Sequence, residues 1–138
     1  MIIKNVSFAP DWNDCNFYDI CLTVDKIPHV EATCIRRFED GKKLYYGENE
    51  EGVVSFYSCG CEMGGHDANY HWSSRPGVFN ALGKKCMEVV FSDNNTSRVC
   101  GYMTVEAVEK LLVNTPYAIK VRNEYCFNNE IHYSIAKI

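Results

Sequence analysis

The run from Asn16 to Asp25, NFYDICLTVD, decides the fold class. Tyr18, Ile20, Leu22 and Val24 fall on one side of an extended chain, and Asp19, Cys21, Thr23 and Asp25 on the other. That period of two is the mark of a strand with one face buried. Working outward, Ile2 to Phe8 makes a short apolar strand stopped by Pro10, and Pro28 ends the strand that follows. Val30, Ala32 and Cys34 alternate with Glu31 and Thr33 in the next strand. Asp40-Gly41 suits a hairpin turn into Lys42 to Tyr46, and Gly52 opens a further strand, Val53 to Ser58. Up to this point the pattern is an antiparallel meander.

Beyond Cys59 the periodicity stops, and Pro76 then suits the first position of a short helix through Leu82. Ser73 or Ser74 can cap it, and Gly83 ends it. Met87, Val89 and Phe91 mark another strand, and Asp93 to Ser97 a polar turn. Thr104 caps an amphipathic helix with Val105, Val108, Leu111 and Leu112 on one face; Glu106 and Lys110 pair on the other. Asn114-Thr115-Pro116 closes it. In the final hairpin Tyr117, Ile119 and Val121 point inward, Asn128-Asn129 turns, and Ile131, Tyr133 and Ile135 return. By parity Arg122 lies on the outward face with Lys120. The expectation is one α+β domain over residues 1–138. Its antiparallel sheet has about six to eight strands, with one short and one longer amphipathic helix.

An apolar fraction of 46% is enough for a core, and 23% charged residues does not indicate disorder. A net charge of −4 argues against duplex DNA as a partner, which calls for a basic stripe. No apolar run is long enough to span a membrane. The first residues lack the charged and apolar regions of a signal peptide, so a cytoplasmic protein is expected. Of the eight cysteines, Cys21, Cys34, Cys86 and Cys126 are then expected as reduced core residues.

The densest chemistry lies between Ser58 and Gly83, SCGCEMGGHDANYHWSSRPGVFNALG. Cys59, Cys61, His66 and His71 could hold a tetrahedral zinc, although a single residue between the cysteines is a poor knuckle spacing. Cys59 or Cys61 with His66 or His71 could also act as nucleophile and base, with Asp67 orienting the imidazole. A third chemistry needs no cofactor: a pocket for an anionic, base-containing small molecule. Gly64-Gly65 lets backbone N–H groups converge on an anion. Ser74 and Arg75 at a helix start add free N–H groups and a guanidinium. Tyr70, His71 or Trp72 can stack on a base, and Asn69 or Asn80 can read its edge. The plain structural alternatives are Trp72 and Phe79 in the core and Arg75 paired with Glu62 or Asp67. There is no P-loop, no dinucleotide fingerprint and no paired carboxylates for a nucleotide hydrolase, so binding is expected rather than an enzyme.

Ser73-Ser74-Arg75-Pro76-Gly77-Val78-Phe79-Asn80, with the late-strand Arg122, resembles the Thoeris anti-defence sponge family of phage proteins. The likeness covers the second half of the chain. It implies a phage-encoded inhibitor of bacterial antiviral immunity that sequesters a cyclic ADP-ribose-type signal without turnover, at sites built by the subunits of a homo-oligomer. Arg75 and Arg122 would then hold phosphates, and Phe79 or Trp72 the adenine. A different expectation is an anti-CRISPR protein whose acidic face, Glu48, Glu50 and Glu51, covers a nucleic-acid groove on a CRISPR effector.

Overall fold

A computed structural model describes residues 1–39, 41–59, 85–94, 97–122 and 132–138, with the backbone alone for 57–59. β2 (Tyr18–Val24) organises the sheet. Ile20, Leu22 and Val24 are buried on the face the alternation assigns to them, with Tyr18 half-buried. Burying each such side chain contributes about 1.5–3 kcal/mol. β1 (Ile3–Pro10) runs antiparallel along one edge of β2, with a register shift between Ile3 and Asn5. The other edge is shared. β6 (Cys86–Ser92) pairs there in parallel through Cys21 to Thr23, and β9 (Tyr133–Lys137) meets it at Tyr18.

The sheet continues from β6 to β7 (Arg98–Thr104), then β5 (Val53–Cys59), β4 (Lys43–Glu48) and β3 (Thr33–Arg37). On the far side, β9 carries β8 (Tyr117–Val121). β6 is central: Cys86, Met87, Val89, Val90 and Phe91 are buried, so both its faces are covered. Phe8 of β1 stacks on Tyr117 of β8 with ring centroids 3.8 Å apart, and Tyr18 meets Tyr117 edge-on at 5.2 Å.

The helix α1 (Val105–Leu111) grows directly from the end of β7. Thr104 is the last strand residue and also the cap: its Oγ1 accepts the Ala107 N–H at 3.2 Å. Val105, Val108 and Leu112 enter the core, as their spacing requires. Asn114 takes a φ of 65° and the chain turns into β8.

The architecture corrects the α+β expectation. Among the described residues there are nine strands in one mixed sheet and a single helix of seven residues, so the domain is nearly all sheet. The helix expected over Pro76 to Leu82 lies outside the described residues, as does the Asn128-Asn129 turn. The sheet is not purely antiparallel, because β2 and β6 are parallel. A parallel pair needs a long crossover, and a reading built from successive hairpins cannot produce one.

β7 has no counterpart in the expected strands. Its alternation is broken by Gly101, where an added Cβ would lie 2.7 Å from a Phe91 ring carbon. The glycine gives that ring its space. β3 is exposed along its whole length, so Cys34 lies on the surface and not in the core. Val121 is 49% exposed rather than inward. Cys86 is buried and Cys21 half-buried; burial pushes the Cys21 thiol up, Arg98 opposes it, and Asp19 and Cys100 add to the rise.

Candidate functional site

An open groove of about 590 Å³ lies beside the helix. Its apolar floor is Val105 of α1, Ile119 and Val121 of β8, and Tyr133 of β9. Glu106 and Glu109 reach it from the helix, Glu48 from the end of β4, and Lys85 from the start of β6. The Asn49–Gly52 turn places Glu48 here. Asn49 Oδ1 accepts the backbone N–H groups of Glu51 and Val53 at 3.0 and 2.9 Å. Gly52 has a φ of 83°, its carbonyl accepts the Thr104 N–H at 2.9 Å, and an added Cβ would lie 2.5 Å from the Ala107 Cβ. The turn thereby sits against the first turn of the helix.

Three carboxylates from two separate elements and one lysine line this groove. Lys85 Nζ lies 5.9 Å from the centre of the Tyr133 ring. Glu48 accepts a hydrogen bond from the Tyr46 hydroxyl at 3.4 Å. Burial pushes the Tyr46 phenol well above its ordinary range, and the neighbouring Cys86 and Glu48 push in the same direction. Tyr46 therefore stays neutral and donates its hydroxyl hydrogen to Glu48. Such a groove can take an elongated group that is apolar in its middle and cationic at its edges. Among the described residues no group of three or more His, Cys, Asp or Glu side chains could hold a metal ion.

Of the expected acidic face, Glu48 belongs to the groove and Glu50 is exposed. Glu51 is engaged differently: Oε1 lies 3.3 Å from the Met1 amino group, and Oε2 accepts from Asn49 Nδ2 at 2.9 Å. The acidic surface is therefore carried by Glu48 with Glu106 and Glu109. The helix pair escapes a sequence reading because pairing with Lys110 one turn on already accounts for Glu106 on the outer face of the helix.

Arg122 is the one expected ligand-binding residue whose side chain is described. It is 6% exposed, and its Nη1 donates to Asp11 Oδ2 at 2.5 Å. The guanidinium also lies over the Phe17 ring, 4.5 Å from its centre. This corrects the outward placement. Arg122 follows the last residue of β8, its N–H donates to the His132 carbonyl at 2.8 Å, and its side chain turns in toward the β1–β2 connection. Its charge is matched by Asp11. Burial alone would raise the Asp11 carboxyl, but the Arg122 hydrogen bond and charge and the Asn13 and Asp14 N–H groups outweigh it. They hold the carboxyl below its ordinary range.

Tyr70, His71, Trp72, Ser74, Arg75, Phe79 and Asn80 lie outside the described residues, as do Cys61 and His66, and Cys59 is described in its backbone only. The segment's flanks are clear: β5 and β6 both run antiparallel to β7, which lies between them. No described helix is long and apolar enough to cross a membrane. No protein-family model, curated protein or solved structure matches this chain.

Proposed function

We propose that this protein acts by occupancy rather than turnover, as an inhibitor whose acidic groove covers a basic, nucleic-acid-binding surface on a partner protein. One observation carries the reading: Glu48, Glu106 and Glu109 arrive from two elements on one groove with an apolar floor. Apolar contact supplies affinity there, and the carboxylates supply orientation and association rate. A nucleic-acid-guided effector of the CRISPR type is the partner class that such a face fits, and a phage would be the source.

The test is competition. Purified protein is added to CRISPR effectors loaded with fluorescent target DNA. Displacement by the native chain, with loss of displacement for the Glu48→Lys/Glu106→Lys/Glu109→Lys variant at an unchanged melting temperature, supports the reading. Displacement that survives the charge reversals removes the groove from it.

The residue content of Ser58 to Gly83 supports a second reading, sequestration of a cyclic ADP-ribose-type signal by Arg75 with Trp72 or Phe79. The Asp11 pairing weakens Arg122 as a phosphate ligand, because a phosphate would have to displace a half-buried carboxylate already bonded to the buried guanidinium. Calorimetry with cyclic ADP-ribose isomers decides it, and no heat from any isomer counts against it. Metal analysis of the purified protein checks the Cys59, Cys61, His66 and His71 alternative.

A further inference from the structure

Trp12 is 96% exposed, the most exposed of the large hydrophobic residues described. Single exposed apolar side chains are common and carry no meaning alone. What distinguishes Trp12 is the framework beneath it. The connection between β1 and β2 is closed by Asp11 N–H to the Phe17 carbonyl at 2.9 Å and Phe17 N–H to the Asp14 carbonyl at 3.2 Å. Asp11 Oδ1 accepts the Asn13 N–H at 2.8 Å, and Asp14 Oδ1 accepts the Asn16 N–H at 3.0 Å. Arg122 then clamps the loop from below through Asp11 and the Phe17 ring. An indole on so constrained a loop loses little conformational freedom on docking, which is the cost that usually erodes affinity.

Charge indicates what would cover it. Between Asn5 and Asp25 the chain carries Asp11, Asp14, Asp19 and Asp25 and no Lys, Arg or His. Arg122 offsets Asp11, but Asp19 still lies in a carboxylate surplus. Burial raises its carboxyl first, and the Asp11 and Glu88 charges then outweigh Arg98 and Arg122. An acidic partner surface would meet repulsion here, whereas a basic one would be attracted.

We propose that the Asp11–Phe17 loop is a docking element: Trp12 enters an apolar pocket on a partner protein, and Asp14 and Asp19 meet a rim of Lys and Arg around it. The loop shares no residue with the acidic groove, so the inference stands apart from the function proposed there.

The test places a photo-reactive phenylalanine analogue at position 12 of the full chain, in cells that naturally express it, and maps the crosslinked peptides by mass spectrometry. The expected result is one partner peptide, apolar and flanked by Lys or Arg. Its adduct fades in raised salt and in Asp14→Asn/Asp19→Asn. With that partner purified, Trp12→Ala weakens binding by about 30-fold or more at an unchanged melting temperature. Absence of an adduct, adducts scattered over unrelated peptides, an adduct to a second copy of the chain, or an affinity indifferent to Trp12→Ala would each overturn the proposal.

Discussion

Replacing Asp11 by Ala removes one half of an ion pair whose other half cannot leave the interior. Arg122 is 6% exposed and Asp11 17%, so the guanidinium would remain in a site prepared for a counter-charge. Breaking a buried pair costs about 3–5 kcal/mol. The residual exposure of Asp11 points to the lower end, about 3 kcal/mol, or roughly a hundredfold in the ratio of folded to unfolded chains. Urea unfolding at neutral pH, followed by circular dichroism, reads this as a lowered midpoint with an unchanged slope. Asp11→Leu/Arg122→Met should recover at least half of the loss, because a thioether can keep the contact with Phe17 while no charge is left stranded. The pH dependence has a definite sign. The folded Asp11 carboxyl titrates below its unfolded counterpart, so its contribution is complete above the ordinary carboxylate range and disappears as pH falls through the depressed folded value. The gap between native chain and Asp11→Ala should therefore be constant near neutrality and shrink in acid. A loss under about 0.5 kcal/mol, or a double variant as unstable as the sum of its parts, would refute a buried and coupled pair.

Gly101→Val should cost about 1–3 kcal/mol in the same unfolding experiment, because its Cβ would press on the Phe91 ring. Thr104→Ala should cost about 1 kcal/mol through loss of the helix cap, with Thr104→Ser close to native. Asp19→Asn should raise the unfolding midpoint at neutral pH, since the folded carboxyl is raised above its unfolded value and its ionised form is the disfavoured one. That gain should vanish once the solution is acidic enough to protonate both states.

Local signals carried much of the architecture. The parity of Ile20, Leu22 and Val24, the Thr104 cap and the Val105, Val108 and Leu112 stripe all depend on neighbours a few residues away, and the structure places them accordingly. Non-local facts were not legible. The parallel pairing of β2 with β6 joins residues about seventy positions apart, roughly where a hairpin grammar has nothing to say. β7 hides behind Gly101, whose role exists only because Phe91 sits across the strand pair. Strand parity puts Arg122 on the outward face, yet it lies one residue past β8, where parity no longer governs, and its partner is 111 residues away. The groove was half visible: Glu48 stands in an evident acidic turn, but only the fold brings Glu106 and Glu109 to it. Trp12 was silent in sequence because an exposed and a buried tryptophan are written with the same letter.

The most direct test of the acidic groove is a hydrogen-exchange footprint of the chain with and without an effector that it displaces from DNA. Slowed exchange is expected in Glu48–Gly52, in Val105–Leu111 and in Tyr117–Val121, three of the segments that border the groove. Unchanged exchange in all three, with slowing confined to other strands, would contradict the groove's proposed role.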